Sequence, residues 1–202
     1  MSKATIVVRG CEDALETIVR VLSNGDLAIV PCDTIYGIVG KAVDTHESLR
    51  MVKGRPEDKP FIQLATLAMV KQRIAGLLDS AIEACWPGPL TAILDDVSGA
   101  KTAFRVPADD FLQEVLERLR QPLYSTSVNF SGEPALLDFE SIAERFSDRV
   151  ALIVKSGERQ GTIPSTIIDA TAKPFKLVRQ GVLDVSELLA ASARTGQIHD
   201  IE

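Results

Sequence analysis

The sequence predicts an α/β fold built on a mixed β-sheet, and three observations predict it. Short β-branched runs alternate with helical apolar patterns from one end of the chain to the other. Some neighbouring strands are separated by short turns and others by helices, which makes the sheet mixed rather than purely parallel. No linker, internal repeat or low-complexity stretch breaks the alternation, and 202 residues suit one domain over 1–202.

The elements follow in order. Thr5 to Val8 reads as a first strand, and Leu15, Ile18, Val19 and Leu22 then form one helical stripe that Asn24-Gly25 ends. Leu27 to Val30 is continuously apolar, as in a strand covered on both faces, and Ile35 to Val39 continues as its neighbour after a turn holding Pro31, Cys32, Asp33 and Thr34. Thr45 is placed to cap a short helix carrying Leu49 and Val52, and the polar run Lys53 to Pro60 reads as a loop. Phe61 to Ala65 is a strand, two helical stretches run to about Cys85, and Leu90 to Leu94 resumes as a strand after Pro87-Gly88-Pro89. A hairpin through Ser98-Gly99 leads to a strand ending at Arg105-Val106. A helix with Leu112, Val115, Leu116 and Leu119 behind Asp109 or Asp110 precedes the strand Leu123 to Ser127. Beyond it come a helix near Asp138 to Phe146, strands at Val150 to Val154, Thr166 to Asp169 and Phe175 to Val178, and a last helix after Asp184. The tail reads as frayed from about Thr195.

Composition excludes several classes. With 46% hydrophobic and 25% charged residues the chain is neither disordered nor fibrous, and a net charge of −6 argues against a surface that grips nucleic acid everywhere. The three cysteines, Cys11, Cys32 and Cys85, lie far apart and suggest neither a zinc site nor a disulfide framework, which fits a reducing compartment. The N-terminus lacks a signal-peptide pattern and no segment approaches the roughly 20 apolar residues of a membrane span. A cytoplasmic protein without a membrane partner is the expectation.

Most catalytic signatures fail. His46 and His199 are the only histidines, and His199 falls in the tail, so a Ser–His–Asp or Cys–His site has little to draw on. Gly37 to Ala42 lacks the glycine spacing of a phosphate loop and reads as tight strand packing. What remains are polar groups at strand ends, where open α/β sheets build ligand crevices. Lys53, Arg55 and Lys59 put three cations into seven residues, stiffened by Pro56 and Pro60. Ser125-Thr126-Ser127-Val128-Asn129 closes an apolar strand with hydroxyl and amide groups, and Ser165-Thr166 opens another behind Pro164. Taken singly, the cationic run reads more readily as a solvated loop, and each hydroxyl cluster reads equally as ordinary turn chemistry.

Their order is more informative. Pro31-Cys32-Asp33-Thr34-Ile35-Tyr36-Gly37, Lys53-Gly54-Arg55-Pro56, Trp86-Pro87-Gly88-Pro89-Leu90-Thr91, Arg105-Val106-Pro107, Ser125 to Asn129, Pro164 to Ile168 and Arg179-Gln180-Gly181 together resemble the YrdC/Sua5 family, the L-threonylcarbamoyladenylate synthases. The chain's length is similar to that of the short, single-domain bacterial form. The resemblance implies a twisted mixed sheet flanked by helices, with a concave, locally basic ligand-binding face. It implies a nucleotidyltransferase that condenses L-threonine, bicarbonate and ATP, with Mg²⁺, into threonylcarbamoyl-adenylate for tRNA modification. It assigns Thr34, Arg105, Ser127 and Ser165 to threonine and carbamate, and Lys53, Arg55, Lys59, Asn129 and Arg179 to ATP, with Lys53 and Arg55 nearest the chemistry. It assigns no metal ligands. Cys32 replaces a usual threonine, Leu64 a histidine found near the threonine in many relatives, and Leu137 a hydroxyl that often helps hold ATP. The partners implied are tRNA or double-stranded RNA and the downstream tRNA threonylcarbamoyltransferase machinery. The alternative is a divergent paralogue that binds RNA or uses another amino acid.

Overall fold

A computed structural model describes residues 3–54, 60–156 and 163–196. Its strands are β1 (Thr5–Val8), β2 (Ala28–Val30), β3 (Gly37–Lys41), β4 (Ile62–Leu64), β5 (Leu90–Asp95), β6 (Lys101–Arg105), β7 (Leu123–Ser127), β8 (Leu152–Lys155), β9 (Thr166–Asp169) and β10 (Lys176–Arg179). Its helices are α1 (Ala14–Ser23), α2 (His46–Lys53), α3 (Leu67–Arg73), α4 (Ser80–Glu83), α5 (Asp110–Leu119), α6 (Phe139–Phe146) and α7 (Ser186–Gly196). All ten strands join one sheet in the order β1-β8-β2-β3-β7-β4-β6-β5-β9-β10. The sheet is mixed: the strand neighbours joined by short connections, β2–β3, β5–β6 and β9–β10, pair antiparallel, whereas β1–β8, β2–β8, β4–β6 and β5–β9 pair parallel.

Alternation along each strand sorts the core into faces. On β2, Ala28 and Val30 join a cluster with Ile18 and Leu22 of α1 and Leu112, Val115 and Leu116 of α5. Ile29 faces the other way, toward Leu49 of α2 and Ile142 and Phe146 of α6. That opposite face continues under β5, β6 and β9, where Leu90, Ala92, Phe104 and Ile168 pack against α3, α4 and α7. Because Phe104 turns toward those helices, its neighbour Arg105 turns to the α1/α5 side. There the β6–β5–β9 half of the sheet contributes to none of the α1/α5 cluster. This half-covered face holds the site.

Several local expectations shift. Thr45 stands before α2, but its hydroxyl donates back to the Lys41 carbonyl at 2.9 Å and caps nothing. Lys53, read as the start of a loop, is the last residue of α2, which Gly54 closes in the left-handed conformation at φ +61°. The β3 strand starts at Gly37 rather than Ile35, and backbone helix persists through Thr195 to Gly196. Asp109 caps α5 as expected, accepting from the Leu112 N–H at 2.9 Å while also holding Arg9. No helix among the described residues is long and apolar enough to cross a membrane.

Candidate functional site

A cavity of about 160 Å³ opens on the half-covered face, and Thr34, Arg105, Ser127, Ser165 and Arg179 all line it. Sheet register brings these five distant residues together. Ser127 ends β7 opposite Gly37, the first residue of β3, and therefore beside the loop that carries Thr34. Arg105 ends β6, and β5 carries the parallel pairing across to β9, where Leu90 sits beside Thr166 and so sets Ser165 next to Pro89. Arg179 ends β10 opposite Ile167. A side chain on Gly181 would collide with the backbone of Pro164 to Thr166, so this glycine lets the chain after β10 close over Ser165.

The Arg105 side chain is only 7% exposed and is held on three sides. It donates from Nη2 to Asp33 Oδ1 at 2.6 Å, from Nη1 to Thr34 Oγ1 at 2.9 Å and from Nε to the Gly88 carbonyl at 3.4 Å. Arg179 donates from Nη2 and Nε to the Ser165 carbonyl at 2.8 and 3.2 Å, and from Nη2 to Ser165 Oγ at 3.3 Å. Burial, and then the positive charge of Arg105, push the Arg179 pKa below its ordinary value, which marks two guanidiniums sharing one space. Thr91 Oγ1 lies 2.9 Å from Ser165 Oγ beneath the cavity floor.

Lys53 is buried behind Ser127. Its Nζ donates to the Ser127 carbonyl at 2.6 Å, to Ser127 Oγ at 3.2 Å and to Asn129 Oδ1. The Asn129 amide is oriented by its donations to the carbonyls of Phe130 at 3.0 Å and Glu133 at 2.5 Å, which leave Oδ1 facing Lys53 and the Ser127 hydroxyl. Asn129 is thus fully engaged with protein groups one layer behind the lining. Cys32 also lines the cavity, and burial pushes its thiol up to about 12.

Arg55 and Lys59 lie outside the described residues. Leu64 does not face the cavity: it is 1% exposed within the α1/α5 core, and Ile62, two residues earlier, lines the wall instead. Leu137 is half-buried. His46 packs edge-on against Phe61 and Tyr124, with ring centroids 5.3 and 5.7 Å away, so it serves an aromatic cluster. Sequence reasoning gave no role to Asp33 or Thr91. The signals were there: an arginine closing a buried strand requires an anion, and a hydroxyl inside an apolar strand requires a polar partner.

A constellation of this kind, drawn from five segments in a fixed order, can be compared with known proteins. The model of the Sua5/YciO/YrdC family, described as telomere recombination, matches residues 20–181. The chain belongs to the Sua5/YciO/YrdC family. Among curated relatives of this family it is 30% identical over 203 residues to the threonylcarbamoyl-AMP synthase of Pyrococcus abyssi, covering 91% of this chain but 60% of that protein. It is also 30% identical over 187 residues to the threonylcarbamoyl-AMP synthase of Vibrio campbellii, covering 82% of this chain and 98% of that one. The crystal structure of P. abyssi Sua5 complexed with L-threonine superposes with a TM-score of 0.83 at 25% identity, over 94% of this chain and 61% of that one. The chain therefore spans about 60% of the archaeal relative and nearly all of the bacterial one.

The cavity can also be tested for a metal site. Among the described residues no group of three or more histidine, cysteine, aspartate or glutamate side chains could hold one. Asp33, beside the cavity, is committed to Arg105 and to the Ala108 N–H at 3.2 Å. The described residues at the cavity therefore do not fit a resident metal.

Proposed function

We propose that the chain is an L-threonylcarbamoyladenylate synthase that condenses L-threonine, bicarbonate and MgATP into threonylcarbamoyl-adenylate and pyrophosphate. The observation that carries this reading is the single cavity lined by Thr34, Arg105, Ser127, Ser165 and Arg179 in a chain whose relatives are named for that reaction. The threonine amine takes up bicarbonate as a carbamate with loss of water. A carbamate oxygen then attacks the α-phosphorus and pyrophosphate leaves, so one P–O bond forms as another breaks.

Two anions meet in this step, and at 4 Å two unit charges repel by roughly 4 kcal/mol at an effective dielectric near 20. The site's cations offset that repulsion. Arg105 keeps one unspent N–H on each terminal nitrogen for the threonine carboxylate. Thr34 Oγ accepts from Arg105, so its own proton is free to be donated to the same carboxylate. Ser127 has spent its proton on Asn129 and serves as an acceptor, suited to the amine, while Ser165 stands beside the carbamate. Arg179, together with Arg55 and Lys59, meets the phosphates. Lys53 adds positive charge behind Ser127, and Asn129 contributes to ATP binding by holding Lys53. No side chain acts as a nucleophile, so catalysis rests on positioning and electrostatic stabilisation.

The amino acid is assigned to the part of the cavity lined by Thr34, Arg105 and Ser127, and ATP to the part beside Arg179. The product is a labile mixed anhydride destined for N6-threonylcarbamoyladenosine in tRNA, and this assigns the protein to the cytoplasm, beside tRNA and a threonylcarbamoyl-transferring partner. The test is direct. The protein with MgATP, bicarbonate and L-threonine should release pyrophosphate and the adenylate in equal amounts. Turnover that is absent, or that proceeds equally with other amino acids, removes the reading.

A further inference from the structure

Asp33 touches the site from outside the set of residues given roles above. Its side chain is 12% exposed and both its oxygens are occupied, Oδ1 by Arg105 Nη2 at 2.6 Å and Oδ2 by the Ala108 N–H at 3.2 Å. The second contact matters. Ala108 lies just beyond β6, so Asp33 ties the loop after β2 to the segment that follows Arg105, and the carboxylate has little freedom to follow a moving guanidinium. Thr34 Oγ1, one residue on, takes a second N–H of the same guanidinium, and the Gly88 carbonyl takes the third. Three of the five arginine donors are thereby fixed by two separate segments, the loop at Asp33-Thr34 and the turn at Gly88.

Charge gives the second strand of the argument. Arg179 feels the positive charge of Arg105 across the cavity. A carboxylate against Arg105 offsets that charge on the protein side while leaving two directed N–H groups on the ligand side. Without it, Arg105 would keep its charge but lose the fixed plane, and two uncompensated guanidiniums would compete for any anion that entered.

We infer that Asp33 is a positioning residue that clamps the Arg105 guanidinium in the orientation that receives the α-carboxylate of the amino-acid substrate. The inference rests on the synthase reading and deepens it. Asp33 is not among the residues that line the cavity and reaches it through Arg105, with the Ala108 N–H as its anchor, so its signature is selective. Asp33→Asn should raise KM for L-threonine about 10-fold or more, with kcat within about 3-fold and KM for ATP unchanged. In an Arg105→Lys background, which retains charge but lacks the planar fork, the same substitution should have little further effect.

The experiment measures L-threonine binding to the wild type by calorimetry, then kcat and KM for threonine and ATP in Asp33→Asn, Arg105→Lys and the double variant. Asp33→Ser repeats the series should the asparagine variant fold poorly. A threonine-selective KM effect that vanishes in the Arg105→Lys background supports the clamp. An unchanged threonine KM, an equal rise in the ATP KM, or losses that multiply in the double variant overturn the clamp while leaving the synthase reading intact. A wild-type protein that neither binds nor turns over L-threonine overturns both.

Discussion

Two arginines reach the same cavity and are held by different chemistry. Arg105 lies at the end of an inner strand, nearly sealed from solvent, with a carboxylate, a hydroxyl and a carbonyl on its donors. Arg179 ends the edge strand β10, all four residues of which are exposed, and rests on the carbonyl and hydroxyl of Ser165. Among the described residues it forms no ion pair. The difference teaches that a cation compensated by the protein belongs to the scaffold as well as to the site, whereas one left uncompensated at the rim is available to a ligand.

Removing each arginine is the sharpest way to break this comparison. Arg105→Ala deletes a ligand contact and also leaves Asp33 charged, poorly hydrated and unpaired, a defect worth roughly 3–5 kcal/mol when a buried pair is broken. Activity should fall about 100-fold or more, and the melting temperature should drop by several degrees in thermal denaturation. A full-strength melting transition in that variant would mean that Arg105 is not part of the scaffold.

Arg179→Ala should separate the two properties. Ser165 is only 2% exposed, but it lines the cavity and carries no charge, so water entering the space left by the side chain can meet its released carbonyl and stability should fall by about 1 kcal/mol, well short of the Arg105 loss. The phosphate-facing charge is lost, and kcat/KM for ATP should fall about 10- to 100-fold, more steeply at low ionic strength, where the charge is least screened. Matched thermal scans and initial rates over a salt series check both halves. Equal destabilisation in the two alanine variants would erase the distinction.

The same contrast explains what could be read from the sequence. Regular elements follow from local patterns: the continuous apolar run of β2, the strand Leu123–Ser127, and α5 behind its Asp109 cap all stand where periodicity and capping place them. Site residues at strand ends, Thr34, Arg105, Ser127, Ser165 and Arg179, were legible because their order resembled a family pattern, and the register delivers them to one cavity. What stayed hidden depends on partners far along the chain. Lys53 looks like part of a solvated charged run, yet its buried ammonium meets groups 74 and 76 residues away. Ile35 looks like strand, but the loop it belongs to is drawn out of the sheet by Asp33 on Arg105 and by the Tyr36 hydroxyl, which accepts from the Ser156 N–H at 3.0 Å. Leu64 was placed near the ligand by analogy; it shares one face of β4 with Ile62, but the α1/α5 cluster covers Leu64 completely while Ile62 reaches the cavity wall.

Cys32 supplies the mildest test, because it lines the same cavity without any charge. Burial raises its pKa to about 12, so at neutral pH the nucleophilic thiolate is almost absent, whereas Cys11 is exposed. Iodoacetamide should label Cys11 at least about 100-fold faster than Cys32, as read by peptide mass spectrometry after timed quenching, with catalytic rate preserved while Cys11 is consumed. The sign of the pH effect follows from the same shift. An unfolded thiol ionises near its ordinary value of 9.0 and the folded one only near about 12, so the unfolded state binds fewer protons between those limits. Stability should therefore decline as pH rises through that window, and Cys32→Ser should flatten the decline. Rapid labelling of Cys32 at neutral pH would show that solvent reaches this wall freely. Arg105, its neighbour in charge, could then no longer be treated as a sealed cation, and the contrast with Arg179 would narrow to one of partners alone.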